Sequence, residues 1–163
     1  MTKILYISAS PRGAASQSGK LAEAYLAARS RQAPDVTIDR LDLWRADLPE
    51  FDGDKAAAKM TFFGVGDMDA PRQSAWDQVV AITSRFLAAD EYVLSVPMWN
   101  GGIPYKLKHY IDIITQPGLL FGFDPEAAIR GFCSIRPRGC FLPQGSMPPA
   151  RLRNTGRTII RPT

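Results

Sequence analysis

The sequence predicts an α/β fold, a doubly wound parallel sheet of strand order 2-1-3 with helices on both faces. Three observations predict it. Short apolar, β-rich runs alternate with segments of helical period, each run stops at a cluster of turn formers, and no internal repeat replaces that alternation.

The elements follow in order. Residues 3–7 (KILYI) form a first buried strand, ended by the turn formers of residues 8–13. Ser16 or Ser18 then caps a helix whose apolar positions Leu21, Ala24, Tyr25 and Ala28 recur at helical spacing. Residues 36–43 (VTIDRLDL) begin as an alternating strand, and a right-handed crossover places it parallel to the first. Between Trp44 and Pro71 the chain reads mostly as loop, with one short helix near residues 54–60. Over residues 72–88 the positions Trp76, Val79, Val80, Thr83, Phe86 and Leu87 make one helical face. Residues 91–97 (EYVLSVP) are the nearly continuous apolar run of a strand buried on both faces. Pro104 opens a last helix with Leu107, Tyr110, Ile111 and Ile114 on one face, and Pro117-Gly118 ends it.

Composition narrows the class. With 163 residues, 45% hydrophobic and 22% charged, the chain fits one ordinary globular domain and neither a fibre nor a wholly disordered protein. No apolar stretch approaches the roughly 20 residues of a membrane-spanning helix, and Met1-Thr2-Lys3 runs straight into a strand, so the expectation is a cytoplasmic protein without membrane contact. Cys133 and Cys140 match no metal-ligand spacing and read as ordinary thiols; no metal site is expected.

Charge divides the chain near Glu126. Seven of the 20 basic residues fall in 127–163, beside five prolines and no acid, while the remaining 13 face all 16 acids in 1–126. The basic balance therefore belongs to a tail. Without interleaved aromatics or a binding module, it is not read as a nucleic-acid surface.

Ligands of open parallel sheets gather outside the carboxyl ends of the strands where strand order reverses, here between strands one and three. The first loop there, residues 10–18, has no glycine-rich phosphate motif but offers the hydroxyls of Ser10, Ser16 and Ser18 at a helix N-terminus. Hydroxyls and main-chain N–H groups bind a phosphate without a lysine because the helix dipole supplies positive potential. The bland reading of such serines is a helix cap. The second loop, Met98-Trp99-Asn100-Gly101-Gly102, sets an aromatic plane and an amide beside two residues without side chains. That suits a flat heteroaromatic ring, against the bland reading of a Trp in a turn.

The combination of Ser10 with Ser16-Gln17-Ser18, then VPMWN, IPYKLKHYID and QPGLLFGFDPE, resembles the FMN-dependent NADH-azoreductase and NAD(P)H:quinone oxidoreductase family over residues 1–126. The resemblance implies a flavodoxin-like sheet and an FMN whose phosphate is held by Ser10, Ser16, Gln17 and Ser18. It places the isoalloxazine ring along Met98, Trp99, Asn100 and Gly101. It implies NADH or NADPH as donor, a quinone or azo compound as acceptor, a ping-pong cycle and a homodimer, with Phe121, in the matching QPGLLFGF stretch, read either as lining the acceptor pocket or as a plain core aromatic. No side chain is required as an acid or base, since the chemistry belongs to N5 of the flavin. His109 is read as a surface or interface histidine before it is read as a proton donor. Family members often carry Phe where Gly101 stands, so one wall of the pocket is thinner here.

After Glu126 the resemblance ends. The family calls for a fourth strand, a glycine-rich loop, a helix and a fifth strand, whereas residues 127–163 read as an Arg/Pro-rich tail, poorly ordered and similar to a translation in a shifted frame. The expectation is that strands four and five are missing or degraded, with residues 131–135 the one place where a fourth strand could form. Two rival functions follow: a flavodoxin-type electron carrier, and an inactive truncated member of the family.

Overall fold

The computed structural model describes residues 1–124, 128–131 and 140–144. Its order is β1 (Thr2–Ser8), α1 (Gln17–Gln32), β2 (Val36–Asp42), α2 (Gly53–Thr61), α3 (Ala70–Leu87), β3 (Glu91–Pro97), α4 (Tyr105–Ile114), β4 (Phe121–Asp124), β5 (Ala128–Gly131) and β6 (Cys140–Gln144). β1 lies between β2 and β3, parallel to both, with Ser8 opposite Asp42 on one side and Ser95 on the other. This is the 2-1-3 order that the alternation predicts.

Two differences concern the end of the chain. A fourth parallel strand, β6, lies beyond β3 with Val93 opposite Cys140 and Pro97 opposite Gln144, so the expectation that strand four is missing is corrected there. Five residues that include Pro143 carry too short a pattern to announce a strand, and a proline is tolerated where the sheet ends. Residues 128–131 pair antiparallel with β4, where the sequence had suggested a fourth sheet strand over 131–135. Residues 132–139 and 145–163 lie outside the described residues, and with them the expectations for Cys133, the tail and a fifth strand.

The helices start where the chemistry of their caps dictates. Ser16, Asp52 and Asp69 accept backbone N–H bonds from Gly19, Lys55 and Arg72, which begins α1, α2 and α3. Pro71 in the first turn of α3 gives up no bond the helix needs. One face of the sheet, with Leu5, Ile7, Tyr92 and Val96, packs on Leu107, Tyr110 and Ile114 of α4 and on Ile82 and Phe86 of α3. The other, with Ile4, Tyr6 and Val93, packs on Ala22 and Leu26 of α1. The apolar positions expected in α1 divide: Tyr25 and Ala28 are half-buried, with Tyr25 packed on that cluster, whereas Leu21 is 58% exposed and Ala24 exposed, and Ser18, Ala22 and Leu26 turn inward. Alanines all round the helix leave the period ambiguous, and the sheet contact decides it.

Polar links close the periphery. The Arg85 guanidinium binds both Asp39 oxygens, at 2.6 and 3.2 Å, and this hydrogen bonding holds the Asp39 carboxyl below the usual carboxylate range. Buried Glu91 receives Arg29 at 2.9 Å. Among the described residues, no helix is long and apolar enough to cross a membrane.

Candidate functional site

The two loops picked out by the sequence leave the sheet side by side. Ser8 and Ser95 face each other across the β1–β3 ladder, and the Ala9 N–H donates to the Ser95 carbonyl at 3.0 Å, so the pairing continues one residue past β1. The chain then turns through a short 3-10 segment, Gly13–Ala15, and enters α1. Strand order reverses between these strands, the position where parallel sheets collect ligands.

In the first loop Ser10, Ser16 and Ser18 are almost wholly buried, at 3%, 2% and 1% exposure, whereas Gln17 is exposed. The Ser16 hydroxyl accepts from Gly19 N at 3.1 Å and lies 3.2 Å from the Ser18 hydroxyl. Ser10 Oγ accepts a long 3.4 Å bond from Arg12 N. The hydroxyls of Ser16 and Ser18 thus meet at the positive end of a 16-residue helix, and Ser10 is buried at the start of the loop that leads to it. At the back of this cradle a Cβ on Gly19 would stand 3.2 Å from the Ser16 Cβ, a contact tight enough to push Ser16 by a few tenths of an ångström. A cleft of about 570 Å³ runs alongside, between Gly13, Ala14, Lys20 and the end of β2.

The second loop is a two-residue turn. Trp99 and Gly102 exchange backbone bonds of 2.9 and 2.8 Å, with Asn100 at φ 48° and Gly101 at φ 74° between them. Positive φ at both central positions is a type I′ turn, and Asn-Gly is its preferred pair. Asn100 is the one non-glycine residue with positive φ among the described residues. Met98 and Trp99 stand 61% and 38% exposed, an apolar rim on an otherwise buried strand end. Beside the turn a cleft of about 870 Å³ opens between Phe51, Trp99, Asn100, Tyr105 and His109.

The geometry unites Ser10, Ser16 and Ser18 at one strand end and Met98, Trp99, Asn100 and Gly101 at its neighbour. Phe121 is not drawn to either loop by any described contact. It opens β4 opposite Gly131, half-buried, with its carbonyl accepting from Gly118 N at 2.8 Å. His109 Nε2 stands 2.9 Å from the Pro49 carbonyl, so its proton is committed to clipping α4 to the loop before α2. Among the described residues, no group of three His, Cys, Asp or Glu side chains is placed to hold a metal.

Sequence reasoning missed Trp44. Its Nε1 donates to the Ala9 carbonyl at 3.0 Å, and its ring meets Trp99 at 5.7 Å and the edge of Tyr105 at 5.4 Å. The available signal was a tryptophan two residues past β2, a strand that ends beside β1.

A 2-1-3 parallel sheet with a serine-lined helix start and an aromatic turn at its switch point defines a flavodoxin-like protein. The model of the flavodoxin-like fold matches residues 2–134. The chain is 62% identical over 136 residues to an FMN-dependent NADH:quinone oxidoreductase of Ruegeria pomeroyi, covering 83% of this chain and 67% of that protein. It is 46% identical over 131 residues to the FMN-dependent NADH:quinone oxidoreductase of Desulfotalea psychrophila, covering 80% and 62%. Among solved structures, an azoreductase from Bacillus anthracis matches with a TM-score of 0.69 at 32% identity, over 80% of this chain and 63% of that one. The chain spans about two thirds of the length of these relatives. It belongs to the flavodoxin-like family and, within it, to the FMN-dependent NADH:quinone oxidoreductases.

Proposed function

We propose that this chain binds FMN between the two loops and acts as an NADH-dependent reductase of quinones and azo compounds. The single observation that carries the reading is the departure of both loops from the adjacent strands β1 and β3, on either side of the Ala9–Ser95 bond. The donor set suits the cofactor. Buried hydroxyls of Ser10, Ser16 and Ser18 at a helix N-terminus suit a phosphate dianion, and an exposed Trp-Asn-Gly turn suits a planar ring with a polar edge.

The residues divide the work. Ser10, Ser16 and Ser18, with the backbone N–H groups that open α1 at Gln17, hold the phosphate. Asn100 pairs with the polar edge of the ring, Gly101 lets backbone approach it, and Met98 and Trp99 cover one face and exclude water there. Bound flavin supplies the hydride acceptance and donation, so the protein contributes binding, orientation and electrostatics and no obligatory acid or base. The face of the ring that Met98 and Trp99 leave open would be the one available to donor and acceptor, while Phe121, bonded to Gly118 in β4, makes no described contact with either loop. The assembly is a cytoplasmic homodimer in this reading.

The test is to mix the purified chain with FMN, NADH and menadione and follow NADH absorbance. Prompt loss of NADH without any partner protein is the expected result. Flavin binding without NADH loss would make the chain a flavodoxin-type carrier, and no flavin binding would make it an inactive member of the family.

A further inference from the structure

Trp44 touches the residue before Ser10 and the ring of Trp99, one on each side of the proposed slot. Leu43 N donates to the Ser8 carbonyl at 3.0 Å and Trp44 N to Asp42 Oδ1 at 3.0 Å, so the chain leaving β2 is fixed against the end of β1. From there the indole Nε1 reaches the Ala9 carbonyl at 3.0 Å, one residue before Ser10. The same ring packs on Trp99 at 5.7 Å, tilted 53°, and on Tyr105 at 5.4 Å, edge-on at 84°. One half-buried side chain therefore joins the phosphate loop, the turn after β3 and the first residue of α4.

The turn needs such a support. Residues 98–103 are all exposed, and among the described residues the turn is closed by the two Trp99–Gly102 backbone bonds. A two-residue turn with little packing of its own is a segment expected to open locally at low cost. Trp44 supplies what it lacks: a ring surface for Trp99, and a hydrogen bond tying that surface to Ala9. Among aromatic side chains, tryptophan combines a large flat face with an N–H donor on its rim.

We propose that Trp44 is the positioning residue of this site, setting the distance and angle between the loop at residues 10–18 and the turn at residues 98–102. As a statement about the flavin the proposal rests on the function proposed above, but as a statement about the turn it stands without it. Removing the ring loosens the turn; removing only the N–H lets ring and turn shift together away from Ala9.

The test uses the full chain with Trp44→Phe and Trp44→Ala. Amide hydrogen exchange at Trp99 and Gly102 without flavin is the first readout: roughly tenfold faster exchange is expected in Trp44→Ala and a smaller rise in Trp44→Phe, from the lost ring contacts and hydrogen bond. The far-ultraviolet circular dichroism couplet of the Trp44–Trp99 pair should vanish in both. Flavin titration is the second readout. FMN and riboflavin should weaken together, about tenfold in Trp44→Ala and about fivefold or less in Trp44→Phe, because geometry and not phosphate chemistry is altered. Unchanged exchange at Trp99 and Gly102 in Trp44→Ala would overturn the proposal, as would loss of FMN binding with riboflavin binding intact. If Trp44→Ala does not melt cooperatively, the Trp44→Phe exchange decides. A wild-type chain that binds no flavin would refute the function and leave the exchange data to judge Trp44.

Discussion

The backbone N–H of Ala9 donates to the carbonyl of Ser95 at 3.0 Å, extending the β1–β3 pairing one residue beyond the end of β1. That bond fixes where the two loops part. Ser10 follows Ala9 immediately, with Ser16 and Ser18 further along the same loop into α1, and the Met98 turn follows Ser95 by three residues. The sheet therefore fixes the two points from which the loops depart, and what lies beyond those points is left to contacts such as those of Trp44.

The serine loop should separate stability from ligand binding. Ser16→Ala removes the cap bond to Gly19 N and should cost about 1 kcal/mol in thermal or denaturant unfolding. Ser18→Ala leaves that bond in place and should cost less. Both should weaken FMN by roughly tenfold while leaving riboflavin nearly unchanged, since one charge-assisted hydrogen bond to phosphate is lost. Equilibrium titration with the two flavins checks it, and equal weakening of both would argue against a phosphate at this loop.

The turn at Asn100 and Gly101 makes a conformational prediction. Gly101 stands at φ 74° with open space where a Cβ would go, so Gly101→Ala should cost only the strain of a left-handed backbone, about 1 kcal/mol. Asn100→Gly should leave stability within about 0.5 kcal/mol, because glycine tolerates the same φ. It should nevertheless weaken flavin binding by removing the amide. Denaturant melts beside flavin titrations distinguish the two effects.

Much of this arrangement was legible in the sequence, and what was not has identifiable causes. β1 and β3 are continuous apolar runs bounded by turn formers, and the topology rule then places their loops together. In α1 the apolar residues circle the helix, so spacing alone could not tell exposed Leu21 and Ala24 from buried Ala22 and Leu26. Trp44 was passed over because its partners, Ala9 and Trp99, lie 35 and 55 positions away, and no local pattern announces such a contact. β5 and β6 are four and five residues long, below the length at which periodicity identifies a strand.

The buried face of α1 is itself testable. Leu26 is fully buried against Ile4, Tyr6 and Val93, so Leu26→Ala should cost about 2–4 kcal/mol. Leu21→Ala on the exposed side should stay within about 0.5 kcal/mol. Equal losses in denaturant unfolding would return the helix to the orientation first read from its periodicity.

Acid should act in part through Asp39. Its carboxyl is held below the ordinary range of about 3.9 chiefly by the hydrogen bonds from Arg85, so folding favours the ionised form. The stabilisation is complete above the unfolded value and is lost as pH falls through the lower folded one. With both side chains partly open to solvent, about 1 kcal/mol is the expected size. Asp39→Asn should flatten this part of the stability-versus-pH curve below about pH 4, measured by urea unfolding at each pH.

The most direct measurement is a paired equilibrium titration of the purified full chain with FMN and with riboflavin, followed by quenching of flavin fluorescence. If the Ser10 loop and the Trp99 turn form one slot, FMN binds at micromolar concentration or tighter, and riboflavin binds at least roughly tenfold more weakly for want of the phosphate. A chain that ignores both flavins, or binds them equally, would contradict the account.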